Sequence, residues 1–530
     1  MAGKRTITPE EVFVFQSPDA KQRICRLIDE STAGTKNTAA GLYWLAPGHT
    51  HEVDVHPKSE EIYYVVRGRG TLRLDDVPHQ VEAGMAVHIP AGTRHQTTNT
   101  GDEDLVYFYA YVPPPTEPPN VTEPWTVASE PAPERAATRL DGRRALEAAR
   151  ALVPELRERA AEADRLRRVP DETIASFREA GLFRVLRPRA FGGSEIDYDA
   201  FTQLVGELAR GCGSSAWNLS VLAMHEWFLA LFPEPAQRAV WDAPGGRDAL
   251  VAAVFAPQGR AEPVAGGFRL SGRWQFASGC DHADWIAVGG VVEGAAGLEE
   301  GYRSFLLSRA EGQWAIDDTW FVAGLRGTGS KDVVVEGAFV PEERTLRMAA
   351  ALSGETPGCE IHRAQLYRLP FVPALGFALA TVAPGIAAAA LERYAERMRE
   401  RVYTYSSTRQ AEHAPAHIGF AESAAEVEAA RACIQRDAAA LMARVRRGEA
   451  VPLGERARAK RDVAWAVRIC TRAVDRIFAS SGAHALFETS PLQRAFRDLH
   501  AIGMHAMHNF DLAAEDWSRV HLGLEPKNAL

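Results

Sequence analysis

The sequence predicts a multidomain protein: a small all-β barrel, a proline-rich tether, and a larger part with helices on either side of a β region. Three observations predict it. Residues 113–133, PPPTEPPNVTEPWTVASEPAP, hold eight prolines. Proline fixes φ and withholds a backbone donor, so this stretch reads as a semi-rigid linker and not as a packed helix or strand. Upstream, IYYVVRGRGTLRL and MAVHIPAG are β-branched or aromatic runs cut by glycine and proline, with no helical period. Downstream, RRALEAARALVPELRERAAEADRL and DETIASFREAGLF carry apolar residues three and four apart. GFRLSGRWQFAS, WIAVGGVV, YRSFLLS and DVVVEGAFV read as strands between about 250 and 345, and helix returns from about 363 to 520. The expected division is 1–112 barrel, 113–137 linker, 138–250 helical, 251–345 middle β and 346–530 C-terminal helical.

The bulk numbers narrow the function classes. At about 150 residues per domain, 530 residues make three or four folded units. Net charge is 60 − 69 = −9 with no basic block, which argues against nucleic acid and acidic membrane surfaces. The N-terminus, MAGKRTITPEE, lacks an apolar signal core, and no apolar run of about 18 residues is expected. Cysteines 25, 212, 280, 359, 433 and 470 are scattered, without CxxC pairs. A cytoplasmic protein with reduced thiols is the expectation.

Two motifs mark the barrel. GHTHEVDVHPKSEEIYYVVRG (48–68) and GMAVHIPAGTRHQTTN (84–99) together resemble the paired cupin motifs. Gly84, Pro90, Gly92, His95 and Asn99 all fit the second. Gly48, His56, Glu61 and Gly68 fit the first, while Asp54 stands where that motif has its first histidine. On a strand, residues 54 and 56 share a face, and Glu61 and His95 come from neighbouring strands. Asp54, His56, Glu61 and His95 form a nitrogen–oxygen donor set suited to a divalent Fe, Mn, Ni or Zn ion. His49 and His51 are a second same-face pair, for the mouth of the barrel or for metal.

The stretch WQFASGCDHADW (274–285) holds serine, cysteine, histidine and two aspartates in a strand-like frame. Taken alone it fits a nucleophile with its base, a metal site, or neither. The wider sequence gives its context. GSSAWNLSVLAMHEW, SGRWQFASGCDHADW, VAGLRGTGSKDVVVEGAFVP and LQRAFRDLHAIGMHA occur in order, and residues 140–520 resemble the acyl-CoA dehydrogenase fold. More closely, they resemble its two-component, flavin-dependent aromatic hydroxylases. The resemblance implies a helical domain, a β-barrel middle domain and a C-terminal four-helix bundle. It places Phe276 over the isoalloxazine and Ser278 at the N5/C4 edge, with Arg326 in a loop beside the flavin. Arg409 would reach the diphosphate of a neighbouring subunit's flavin, and Ser481 and Gly482 would meet the adenosine part. A guanidinium's planar fork suits a diphosphate. Shared cofactor sites imply an oligomer, a tetramer. Cys280 and His282 have no third group to orient the histidine.

The choice between dehydrogenase and oxygenase rests on the C-terminal motif. Many dehydrogenases of this fold place a carboxylate base shortly after an RD pair. Here Arg497-Asp498 precedes LHAIGMHAMHNF, with no carboxylate until Asp511. Trp217, His225 and His505 match a tryptophan and two histidines of the hydroxylases, and His505 is expected to act as general base on substrate. His500 and His508 carry weaker expectations. The resemblance implies reduced flavin (FADH2 or FMNH2) and O2, reacting through a C4a-hydroperoxyflavin, to hydroxylate an aromatic or nitrogen-containing small molecule. No GxGxxG unit is present, so a separate NAD(P)H-dependent flavin reductase is the expected electron source. The alternatives are an N-oxygenase of an amine or amino sugar, an acyl thioester dehydrogenase, and a bifunctional enzyme with a metal-dependent step in the barrel.

Overall fold

The computed structural model describes residues 7, 9, 12–115, 125–129, 139–243, 245–402 and 407–530. The chain divides into two compact units, Met1–Thr138 and Arg139–Leu530. Most of the proline tether (116–124 and 130–138) lies outside the described residues.

The first unit is all-β. One sheet runs in the order Thr126–Ser129, Val14–Gln16, Gln22–Ile28, Ala39–Leu45, Leu105–Val112, Glu60–Arg67, Ala86–Ile89. The other runs Val77–Glu82, Arg69–Leu74, His95–Asn99. Period-two alternation aims Glu61, Tyr63 and Val65 inward from Glu60–Arg67 and leaves Ile62, Tyr64 and Val66 outside. Tyr43, Tyr63, Tyr107 and Tyr109 join Leu45, Leu72 and Leu105 in the barrel's own core.

One expectation about the tether fails. Thr126–Ser129 is a strand, antiparallel to Val14–Gln16, and Trp125 packs on the barrel core. TVAS has no proline, and Thr and Val favour extended pairing, so nothing blocks the ladder between Pro124 and Pro131.

The second unit runs helix, sheet, helix. Its N-terminal helices include Gly142–Leu166, Tyr198–Leu208 and Gly213–Leu229. All seventeen residues of Gly213–Leu229 are buried, so this helix is a central element and not an amphipathic surface one. A seven-stranded sheet follows, with Gly267–Ala277 between Lys331–Pro341 and Val251–Val264. Val382–Glu400, Ala414–Arg446, Leu453–Ser480 and Pro491–Gly503 pack as a four-helix bundle.

Phe371–Glu400 corrects a second expectation: it is long and apolar enough to cross a membrane by length and composition. About 83% of its apolar window is buried inside the unit, so it serves as core. Two helices, Phe371–Ala380 and Val382–Glu400, share the stretch.

Candidate functional site

The strand Gly267–Ala277 stops just before Ser278, so the strand-like frame expected around WQFASGCDHADW is broken between Ser278 and Asp284. Phe276 has φ +67° and Gly279 φ +75°, and two left-handed residues so close together turn the chain out of the sheet. Cys280–His282 is then a 3₁₀ turn. A Cβ on Gly279 would lie 3.1 Å from the Leu222 side chain, a tight fit, and its φ of +75° already favours glycine. Phe276 is left 65% exposed, edge-on to Trp320. An open aromatic face of that size beside a bonded serine suits a planar ligand.

Cys280 and His282 do not form a pair. The thiol is buried over the Gly329 carbonyl at 3.6 Å, and burial pushes it up to about 12. His282 Nε2 donates to the Val169 carbonyl at 2.9 Å. Both side chains anchor the turn to neighbouring loops.

Ser278 sits in a polar cluster. Trp217 Nε1 donates to its Oγ at 3.1 Å, and Ser330 Oγ lies 2.7 Å away. Thr328 Oγ1 is 2.7 Å from Ser330 Oγ and donates to the Leu325 carbonyl at 2.8 Å. The Gly279 amide donates to the Thr328 carbonyl at 3.1 Å, fastening the Ser278 turn to the loop that carries Arg326. Arg326 Nε is buried there without a hydrogen-bond partner. An orphaned guanidinium nitrogen is costly, and an anionic or carbonyl-bearing ligand would satisfy it. Thr328 and Ser330 were not anticipated. Their signal in the sequence is the run of hydroxyls and glycines in GLRGTGS beside Arg326.

The RD pair holds this loop. Asp498 Oδ1 accepts the Leu325 amide at 2.7 Å, and Arg497 Nη1 donates to the Ala323 carbonyl at 2.5 Å. Arg497 Nη2 also pairs with Asp164 at 3.0 Å. Asp498 is buried, and that burial raises its carboxyl to about 6.

Two histidines present opposite faces of imidazole chemistry. His225 Nδ1 donates to the Val251 carbonyl at 2.9 Å, which leaves Nε2 as the lone-pair nitrogen. His505 Nδ1 accepts the Met507 amide at 3.2 Å, so its proton sits on Nε2. This corrects the general-base role expected of His505: a backbone N–H can only donate, and it occupies the lone pair a base would use. Burial pushes both rings down to about 4, so both are neutral near pH 7. The His505 ring lies 6.0 Å from Trp217. Trp217 and His225 lie on one helix, eight residues or about 12 Å apart along its axis. His508 is fully buried 5.5 Å behind His505, and His500 pairs with Asp475 instead.

The remaining candidates sit elsewhere on the second unit. Arg409 is exposed, its backbone bridged to Val402. Ser481 is buried and its hydroxyl donates back to Ile477 O at 2.6 Å. Gly482 has φ +70°, and a Cβ there would meet Arg401 Nη2 at 2.4 Å.

In the barrel, Asp54, His56 and His95 bring ligand atoms within 4.8 Å of one another. Glu61 Oε2 lies 3.1 Å from His95 Nε2 and 3.7 Å from His56 Nε2. Asp54 pairs with His95 through an isolated bridge, and His56 lies outside any strand, so a shared strand face is not what aligns them. Both Glu61 carboxylate oxygens and His56 Nε2 are buried without a proper hydrogen bond. Buried polar atoms left unpaired in one spot fit a divalent cation, which would satisfy them together. His51 is not among the three grouped ligands, although its Nδ1 is also buried and unpartnered.

Residues 41–111 match the cupin domain, residues 142–244 the N-terminal domain of acyl-CoA dehydrogenase, and residues 377–510 its C-terminal domain. The oxygenase subunit HsaA of a flavin-dependent monooxygenase from Rhodococcus jostii is 37% identical over 375 residues, 71% of this chain and 97% of that one. The oxygenase component of an FADH2-dependent resorcinol hydroxylase from Rhizobium is 36% identical over 380 residues, 70% of this chain and 92% of that one. The structure of XiaF from Streptomyces in complex with FADH2 and glycerol superposes with a TM-score of 0.67 at 28% identity, covering 73% of this chain and 98% of that one. The chain therefore belongs to the oxygenase components of flavin-dependent monooxygenases built on the acyl-CoA dehydrogenase fold, with a cupin domain ahead of that fold.

Proposed function

We propose that this monooxygenase hydroxylates a phenolic small molecule, using O2 and reduced flavin delivered by a separate NAD(P)H-dependent reductase. The observation that carries this is the complementary pair of fixed tautomers, an Nε2 lone pair on His225 and an Nε2–H on His505. A phenol is donor and acceptor in one group, so its proton suits the His225 lone pair and its oxygen the His505 N–H. When bound, reduced flavin supplies the activation of O2 for attack on the ring. His225 Nε2 accepts the phenol proton as the ring becomes nucleophilic, and His505 Nε2–H steadies the oxygen. Trp217 walls the pocket between substrate and Ser278. A relative named for resorcinol, itself a phenol, supports the substrate class.

Phe276, Ser278 and Arg326 would hold the flavin within one subunit. Arg409, with Ser481 and Gly482, would complete it across a tetramer interface in the cytoplasm. In the barrel, Asp54, His56, Glu61 and His95 would hold a divalent Fe, Mn, Ni or Zn ion.

The test is product formed per reduced flavin. General-base catalysis is worth about 10² to 10⁴ in rate, so His225→Ala should lower hydroxylation by that order and release hydrogen peroxide instead. His505→Ala removes one donor and should cost less, about tenfold. Full product yield in His225→Ala with a phenol would discard the proton-transfer role. Anaerobic reduction of the oxidised flavin by an acyl thioester would favour the dehydrogenase alternative.

A further inference from the structure

Ser278 ends a run of hydroxyls whose protons point one way. Thr328 Oγ1 bonds the Leu325 carbonyl at 2.8 Å, and a carbonyl only accepts, so the single Thr328 proton is committed there. The 2.7 Å contact between Thr328 and Ser330 must then use the Ser330 proton. The 2.7 Å contact between Ser330 and Ser278 must in turn use the Ser278 proton. At the other end, Trp217 Nε1–H can only donate, and it points at Ser278 Oγ from 3.1 Å. Ser278 therefore spends its proton on Ser330, accepts from Trp217, and keeps one lone pair for a ligand.

Burial holds this direction. Thr328 is 1% and Ser330 4% exposed, so bulk water does not scramble the pattern. The Leu325 carbonyl is fixed from several sides: it also accepts Trp320 Nε1–H at 3.2 Å, while the amide of the same residue is held by Asp498 at 2.7 Å. Hydrogen bonds in such a chain polarise one another in the same sense.

We propose that Thr328 and Ser330 are positioning residues that orient the Ser278 hydroxyl as a pure acceptor toward the flavin edge, and so favour reduced over oxidised flavin. N5 of a reduced flavin carries a hydrogen and needs an acceptor. N5 of an oxidised flavin carries a lone pair and needs a donor. A Ser278 with its proton committed serves the first and not the second. Reversing the chain for oxidised flavin means breaking the Thr328–Leu325 bond, an ordinary buried hydrogen bond. That corresponds to a preference of roughly 3- to 10-fold from this device alone. The inference rests on the reading that places Ser278 at the flavin edge.

The test compares dissociation constants for reduced and oxidised flavin, under anaerobic conditions, on the full-length protein, with FMN and again with FAD. Ser330→Ala removes the acceptor for the Ser278 proton. Thr328→Val removes the acceptor for the Ser330 proton and frees the run to reverse. Each should lower the reduced-over-oxidised preference roughly 3- to 10-fold, mainly by tightening oxidised flavin. Thr328→Ser keeps the hydroxyl and should restore the parent preference, which loss of packing would not do. If Ser278→Ala changes the preference while Ser330→Ala and Thr328→Val leave it at the parent value, the proton-direction inference is wrong. If Ser278→Ala changes nothing either, the placement of Ser278 against the flavin is what fails.

Discussion

At the residue scale, chemistry depends on which nitrogen of a buried imidazole holds the proton. His225 is buried and His505 half-buried, both neutral near pH 7, yet their backbone partners assign them opposite faces. The pH consequence follows from the direction of the shift. A base whose conjugate acid titrates at about 4 keeps its lone pair down to that pH. The acid limb of single-turnover hydroxylation should therefore fall near pH 4 to 5, well below the ordinary histidine value of about 6.5. A limb at 6.5 that disappears in His225→Gln would show that the ring is solvated in the working enzyme. In the barrel, His56→Ala should abolish metal binding. Elemental analysis of protein purified without chelator should find close to one transition-metal equivalent in the parent. Less than about one-tenth of an equivalent in the parent would end the metal proposal.

At the element scale, the loop Gly324–Ser330 is positioned from the C-terminal bundle. Arg497 and Asp498, on the helix Pro491–Gly503, grip Ala323 and Leu325. Leu325 adopts φ +51°, a left-handed conformation that a branched side chain adopts only when held. Burial, with Asp164 adding its charge, raises the Asp498 carboxyl to about 6, against the pull of the Leu325 amide, Arg494 and Arg497. An acid raised in the fold is easiest on stability below its unfolded value near 4, and its cost grows as pH rises through about 6. Asp498→Asn should therefore stabilise the protein at pH 8, by about 1–3 kcal/mol, with the gain gone by pH 4. The same change weakens the hold on the Arg326 loop, so flavin affinity at pH 8 should fall several-fold. Thermal melts across pH beside a flavin titration would check both. Destabilisation at pH 8 would mean that Asp498 is a plain structural carboxylate.

At the scale of the whole molecule, each unit has its own hydrophobic core, one within residues 24–125 and one from residue 140 onward. A fragment from residue 134 to 530 should fold and bind reduced flavin without the barrel. An insoluble fragment, or one that has lost flavin binding, would make the barrel part of the oxygenase fold. The second unit also carries five imidazoles whose proton affinity burial lowers, His225, His282, His362, His505 and His508. Each binds its proton less readily when folded, so stability should fall as pH drops from about 6.5 toward 4. Asp498, Glu226 and Asp437, whose carboxyls burial raises, work the other way over part of that range, but three groups oppose five. A melting temperature that is level or rising from pH 6.5 to 4.5 would contradict this.

The sequence by itself determined the architecture and the family. Period-two alternation in EEIYYVVR, helical spacing in the downstream helices and the four ordered motifs are local patterns, and local patterns survive in a linear string. It also marked Trp217, Ser278, Arg326 and the four barrel donors, because ligand and motif spacings are short. What it could not fix were hydrogen-bond partners. The His505 proton depends on a local turn at Met507, two residues on, and the Ser278 proton depends on Thr328 and Ser330, about fifty positions away. Asp498 looked like a landmark for a missing base and proved to be the anchor of a loop 173 positions upstream. TVAS read as part of a proline tether until a partner strand at Val14–Gln16 gave its backbone somewhere to bond. Hydrogen-bond direction, burial and strand pairing belong to pairs of groups, and only the folded chain decides which pairs meet.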